Sequence, residues 1–338
     1  MSPELAEAMA RLRAGGALKK GQMTRFVTEL MEGKLEENFT VDFLTALRQK
    51  GESVDDIIEA ATVMRAKCVK VSVAKKPLLD TCGTGGDGAH TLNVSTLVAL
   101  VAAAAGVAVA KHGNRSVSGL CGSADLLDAL GVRIDLTAEQ VARCIETTGF
   151  GFMYAPNFHP AMKHAAPARK KITGRTLFNC LGPLTNPAGA THHLLGVYSE
   201  SLVQPVCKAL GALGAQHAIV VHGRDGLDEV SITQNTVVAE GVGGKVTVSE
   251  FKPSEVGFAG VKADQLRVKS VEDALASARL VLEGRPGPKT DFVVLNAAFA
   301  LKAADVVRDI KEGVARSRKL LESQAVQRKL DQIKTFKP

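Results

Sequence analysis

A chain of 338 residues is long enough for two domains with at least one sizeable core, so small size forces neither a metal nor a disulfide framework. Its composition, 46% hydrophobic, 23% charged and 4% aromatic with 32 glycines, excludes a mainly disordered or fibrous protein and argues against an aromatic-rich all-β one. The formal net charge of +7 is compatible with a nucleic acid or a phosphorylated small molecule and does not choose between them.

The opening MSPELAEAMARLRAGG alternates charged and apolar residues, so no export signal is expected. Phe26, Leu30 and Met31 form one apolar stripe, and Phe39, Phe43, Leu44 and Leu47 form another. Ser53 with Asp56 reads as the cap of a further helix carrying Ile57, Ala61 and Met64. These stripes predict a helical layer that packs or builds a subunit interface and holds no chemistry. From Pro77 the pattern becomes α/β, with strand candidates at Val107–Ala110, Val132–Leu136, Phe150–Tyr154, Leu194–Tyr198 and Ala218–Val221 between helix-length segments. The apolar run from Val94 to Ala110 turns at Gly106 and reads as a buried helix then a strand, not a membrane span. Thr137 with Gln140 caps a helix, Val203–Leu213 is another, and Val271–Glu283 and Ala297–Leu330 are mostly helical. The six cysteines have no CxxC or zinc-finger spacing, which fits a reducing, cytoplasmic compartment.

Asp80-Thr-Cys-Gly-Thr-Gly-Gly-Asp87 follows an apolar Pro-Leu-Leu and precedes a helix near Asn93, the arrangement in which glycines bring backbone N–H groups to a phosphate. It matches neither the Walker loop nor the dinucleotide fingerprint. Lys111-His-Gly-Asn-Arg115 follows the next strand and runs through Ser116, Ser118 and Gly119 to Ser123 and Asp125, adding a point charge, a fork and hydroxyl donors. Together the two loops describe a polyphosphate site. Arg169 suits a carboxylate, so a second, acidic substrate is expected. Gly182–Pro187 reads as a rigid loop held by two prolines. Asp228 and Glu229 are adjacent hard-oxygen ligands suited to Mg²⁺ on a phosphate-rich substrate, whereas His192 and His193 would point to opposite faces of a strand and make a poor metal pair.

Five segments in order, GTGGDGAHTLNVST at 83–96, KHGNRSVSGLCGSAD at 111–125, HPAMK at 159–163, GRTLFNCLGPLTNP at 174–187 and DGLDE at 225–229, make the chain resemble the anthranilate phosphoribosyltransferase family of tryptophan biosynthesis. The resemblance covers Leu5 to Gln324 and implies a small N-terminal helical domain plus a large α/β domain with a central mixed sheet. The expected division is 1–73 with a return segment 170–190, against 74–169 and 191–338. It also implies a homodimer joined through the helical domain, and Mg²⁺-dependent transfer of a 5-phosphoribosyl group from phosphoribosyl pyrophosphate to the amine of anthranilate.

Carried over by resemblance, Gly83, Gly86, Asp87, Thr91, Asn93, Val94, Ser95 and Thr96 surround the phosphoribosyl pyrophosphate. Lys111, His112, Gly113, Asn114, Arg115, Ser116, Val117, Ser118 and Gly119 complete that surface, with Ser123 nearby. Ser95, Asp228 and Glu229 match metal positions; Gly83, Asn114 and Arg169 match anthranilate positions, with His112, His159 and Pro183 as further acceptor candidates. Lys111 and Arg169 are the residues expected to carry catalysis. Gly119 replaces a serine found in many relatives, so no hydroxyl contact is carried over there, and Ile172-Thr173 departs from the usual Leu-Gly. The alternatives are a nucleoside phosphorylase and a non-catalytic phosphosugar-binding regulator. A basic RNA-binding scaffold is disfavoured because RNP-like aromatic strands and a KH-type GXXG arrangement are lacking.

Overall fold

The computed structural model describes residues 2–86, 88–116 and 120–338. Four helices come first, α1 (Pro3–Arg13), α2 (Gln22–Met31), α3 (Glu37–Lys50) and α4 (Val54–Lys67). The last begins where expected: Asp56 N–H bonds the Ser53 hydroxyl at 3.1 Å, and Ser53 N–H bonds the Asp56 carboxylate at 2.9 Å. The phenylalanine stripes meet in a stacked Phe26–Phe43 pair 3.9 Å apart. The chain then builds β1 (Leu78–Gly83), α5 (Val94–Ala104), β2 (Ala108–Gly113), α6 (Ser123–Ala129), α7 (Ala138–Thr148) and β3 (Phe150–Tyr154). A detour through α8 (Ala155–Phe158), α9 (Ala166–Lys171) and α10 (Leu177–Leu184) returns to β4 (His192–Gly196), α11 (Val203–Ala212) and β5 (His217–Gly223). The hairpin β6 (Thr236–Val242) and β7 (Lys245–Phe251) follows, then α12 (Val271–Leu282), α13 (Pro288–Ala303), α14 (Ile310–Glu322) and α15 (Ala325–Lys334).

The strands lie in the order β3-β2-β1-β4-β5-β6-β7, parallel as far as β5 and antiparallel beyond it. The chain runs outward from β1 to β3 and resumes on the other side at β4, so the order reverses between β1 and β4. Gly83 and Gly196 stand opposite each other there, at the strand ends where a crevice opens. Alternation along β4 and β5 feeds two of the three buried clusters. Leu194, Ile219 and Val221 face α5 and α13 in one, whereas Leu195, Ala218 and Val220 join α11 in the other. That second core also contains Phe26, Phe43 and Ile57 from the helical layer with Leu177, Phe178, Leu181 and Leu184 from α10.

Three sequence expectations change. Val132–Leu136 is no strand: Val132 and Leu136 are buried, but Arg133 and Asp135 pair with each other in solvent at 3.3 Å, and β3 already occupies the open side of β2. The Gly182–Pro187 segment is not wholly a loop, because α10 continues through Pro183 to Leu184. A proline in the last turn forfeits a single ladder bond, and Leu177, Leu181 and Leu184 offset it by burial at helical spacing. Two strands are displaced, the one expected at Val107–Ala110 running to Gly113 and the one expected at Leu194–Tyr198 starting at His192. Both include polar residues that are buried in the fold.

At the opposite end of the sheet, His217 lies between two carboxylates, Nδ1 being 2.8 Å from Asp305 and Nε2 3.0 Å from Glu240. His192 reaches the same Asp305 at 3.2 Å, and Lys302 holds Glu240 at 2.7 Å. Both histidines are thus absorbed in packing. Desolvation works against the imidazolium of His217, but the two hydrogen-bonded acids outweigh it and its pKa stands above the usual 6.5. A raised folded pKa gives stability that is fully present below the unfolded value and is lost as pH rises through the folded one. The unfolding free energy of wild type from urea titration should therefore exceed that of His217→Gln by on the order of 1 kcal/mol at about pH 6, with a smaller gap at about pH 9.

Candidate active site

The crevice at the β1–β4 reversal is floored by charges that the sequence places far apart. Lys111, on β2, is 1% exposed, and its ammonium donates to the Thr81 carbonyl at 2.6 Å and to Ser95 Oγ at 3.3 Å. Beneath it the fully buried Asp80 accepts from Asn186 Nδ2 at 2.7 Å and from His112 N–H at 3.4 Å. Burial pushes the Asp80 carboxyl up to about 6, Lys111 partly opposing this, while burial pulls the Lys111 pKa down. Lys111 is therefore a buried cation bonded to Ser95 and the β1 backbone, not a side chain standing free in the crevice.

The glycine loop is fastened at several points. Gly85 N–H donates to Asp228 Oδ2 at 2.7 Å, and Thr84 N–H donates to the Gly196 carbonyl at 2.9 Å. A Cβ at Gly83 would overlap the Asp228 carboxylate, so only glycine lets the acid come this close. Glu229 beside it is half-buried. Farther along, Thr91 bridges to Arg267, and Asn93 Nδ2 donates to the Cys121 carbonyl at 2.9 Å, linking the loop after β1 to the loop after β2. Val94 is buried, and Asn93 Oδ1 and Thr96 Oγ1 are buried without partners among the described residues.

In the second loop Gly113 lies tight against Ser123, whose hydroxyl donates to the Asn114 carbonyl at 3.3 Å; the Asn114 side chain itself is exposed. Arg115 is held by Asp125 at 2.8 Å and Asp128 at 2.9 Å, and Ser116 N–H also bonds Asp125. A phosphate recruiting Arg115 would have to compete with these acids. Asp87, Val117, Ser118 and Gly119 lie outside the described residues.

Beyond this loop, the His112 and His159 rings are 4.9 Å apart, and neither Nε2 has a partner among the described residues. Desolvation lowers their pKa values to about 3 and about 4, so both rings are neutral at physiological pH. Gly182 hydrogen-bonds His112 through its backbone, which brings Pro183 to the same wall. Arg169, on α9, lies over the Phe178 ring at 5.6 Å and has no acidic partner among the described residues. Its neighbours desolvate it enough to pull its pKa down, yet the side chain stays exposed, and that open surface keeps it charged.

A family model described as glycosyl transferase family, helical bundle domain, matches residues 6–68, and one described as glycosyl transferase family, a/b domain, matches residues 75–326. The anthranilate phosphoribosyltransferase of Symbiobacterium thermophilum is 46% identical over 328 residues, spanning 97% of this chain and 96% of the relative. This chain belongs to the anthranilate phosphoribosyltransferase family. The crystal structure of the family member from Thermus thermophilus superimposes with a TM-score of 0.91 at 42% identity, covering 97% of this chain and 98% of that one. The Saccharomyces cerevisiae member, in complex with PRPP and Mg, gives 0.89 at 26% identity over 98% of this chain and 97% of its own, and it has also been solved with 4-fluoroanthranilate.

For a member of the anthranilate phosphoribosyltransferase family, the residues that sequence reading passed over are the supports. Asn186 ties the end of the detour to Asp80 and, at 2.8 Å, to the Ala110 carbonyl. An acid inside the apolar Pro77-Leu-Leu-Asp80 run was the available signal for Asp80; Asn186 stands in the 174–187 segment, but nothing local ties it to Asp80, 106 positions away.

Proposed function

We propose that this chain transfers the 5-phosphoribosyl group of phosphoribosyl pyrophosphate to the amino nitrogen of anthranilate with Mg²⁺ present, releasing pyrophosphate. The observation that carries the reading is the Asp228 carboxylate bonded to Gly85 N–H inside the glycine loop. A carboxylate there repels a bare phosphate and becomes useful once a divalent cation lies between the two. The donor set fits that ion: Asp228, Glu229 and Ser95 offer hard oxygens, and no cluster of three or more His, Cys, Asp or Glu among the described residues makes a complete cage. Mg²⁺ typically takes one or two carboxylates and completes its shell with water and substrate phosphates.

When bound, the ion would neutralise charge building on the departing pyrophosphate. The chain's own contribution is positional. Gly83, Gly86, Asp87, Thr91, Asn93, Val94, Ser95 and Thr96 form the donor side, completed by residues 113–119 and Ser123, with Lys111 holding Ser95 from below. Arg169 takes the anthranilate carboxylate by a paired contact, and Asn114, His112, His159 and Pro183 bound the ring. The aromatic amine is already unprotonated near neutral pH, so no general base is assigned.

We further propose the division 1–73 with 170–190 against 74–169 with 191–338, supported by the core that α10 shares with the first helices. A homodimer joined through the helical layer and a cytoplasmic setting complete the reading; the free state of all six cysteines agrees with the latter. No helix among the described residues is long and apolar enough to cross a membrane.

Purified protein mixed with anthranilate, phosphoribosyl pyrophosphate and Mg²⁺ should consume anthranilate fluorescence with one pyrophosphate formed per product, and chelation should stop it. Phosphorolysis of a pyrimidine nucleoside without turnover of this pair would move the assignment to the phosphorylases, and saturable binding without product would make the chain a regulator.

A further inference from the structure

Arg175 lies six positions beyond Arg169, and the reading above gives it no task. Its Nη2 donates to the Gly86 carbonyl of the glycine loop, while its guanidinium lies 4.1 Å from the centre of the Tyr198 ring. Tyr198 is itself tied to that loop, its N–H donating to Thr84 Oγ1 at 3.1 Å. Arg175 therefore grips the loop at Gly86 directly and at Thr84 through Tyr198. Its own segment is held from the other side, where Arg48 on α3 donates to the Thr173 carbonyl at 2.6 Å and to the Arg175 carbonyl at 3.5 Å. Gly174 between them has φ +94°, and an added Cβ would lie 3.0 Å from Arg48 Nη1. The result is a continuous run of contacts from the helical layer to the donor loop.

We propose that Arg175 is a positioning residue that fixes the 84–86 loop in its donor-binding form and makes that form depend on the docking of α3. This rests on the proposed transfer reaction and adds to it a means by which the helical layer controls affinity for the diphosphate substrate. Planarity matters more than charge here. A guanidinium stacks on a ring with its face while donating in its own plane, and a lysine ammonium cannot do both. A loop released from Gly86 samples other conformations, which weakens binding of the donor without touching the acceptor contacts at Arg169.

Two measurements test this. In steady-state assays, Arg175→Lys and Arg175→Ala should raise the KM for phosphoribosyl pyrophosphate about tenfold while leaving the anthranilate KM within about twofold, with Tyr198→Phe near wild type and Tyr198→Leu resembling the arginine variants. Equal rises in both KM values, or a fall in thermal midpoint alone, would overturn the assignment. Hydrogen exchange of the ligand-free protein supplies a readout independent of turnover: amides in the peptide carrying residues 84–86 should exchange several-fold faster in Arg175→Lys and also in Arg48→Ala. Unchanged exchange in that peptide sinks the inference whether or not the enzyme turns over, whereas an inactive wild type with accelerated exchange in both variants leaves the coupling standing and refutes the reaction.

Discussion

Replacing Lys111 by methionine is expected to destabilise the fold by about 3 kcal/mol at neutral pH, and by less at about pH 5. The ammonium is buried, and removing it leaves the Thr81 carbonyl without its 2.6 Å donor and Asp80 without the cation that favours its charged form. Asp80 already stands at about 6 in the fold against 3.8 ordinarily. Without Lys111 it rises further and enters the folded state neutral. A carboxyl with a raised folded pKa contributes stability below its unfolded value and loses it as pH rises through the folded one, so acidification should narrow the gap to wild type. Adding Asp80→Asn to Lys111→Met should restore part of the loss, because an amide folds without the cost of protonating a buried carboxyl at neutral pH. Urea midpoints of the single and double variants at both pH values decide this; a wild-type midpoint for Lys111→Met at neutral pH would show that the ammonium does not offset Asp80.

Arg169→Gln is expected to have the opposite signature, with little change in stability and on the order of a hundredfold loss of kcat/KM for anthranilate. In the folded protein Arg169 has the Phe178 ring as its neighbour and no acid among the described residues, so its removal costs the fold about 0.5–1 kcal/mol at most. The loss falls on the acceptor carboxylate. Aniline, which keeps the amine and lacks the carboxylate, is the control: its slow turnover should be the same in wild type and variant. A variant that impairs both acceptors equally would place Arg169 outside carboxylate recognition.

The parts of this molecule that were legible in the sequence are those written locally. Ser53 with Asp56 and Thr137 with Gln140 announced two helices because a capping box needs only four consecutive residues. Five ordered segments were enough to identify the family and the mixed-sheet architecture. Strand limits were harder to place, since Lys111, His112, His192 and His193 are polar residues buried inside strands, where an apolar run was the expected signal. The expectation that the glycine loop takes an anion rests on the loop's own residues. Its supports could not be read locally, because Asp228, Gly196, Asn186 and Arg175 reach it from 89 to 143 positions away or bind strands that pairing alone brings together. Arg115 shows the converse, a residue with the right chemistry in the right loop whose fork is occupied by Asp125 and Asp128.

The position of β4 has a consequence for the order in which the protein is made. β4 lies between β1 and β5, yet it is synthesised only after the chain has completed β3 and crossed the helical layer, so that Leu79 pairs with His192 across more than a hundred residues. Until residue 196 has left the ribosome, β1 carries an unpaired edge in the middle of the future sheet, and Thr84 N–H lacks its acceptor on Gly196. Closing so long a loop is slow, and an uncovered strand edge invites pairing with other chains. Early docking of Leu177, Phe178 and Leu181 onto the first helices shortens the remaining search to the few residues before His192. A nascent chain in which that docking is slow would leave the β1 edge uncovered for longer and so more open to aggregation.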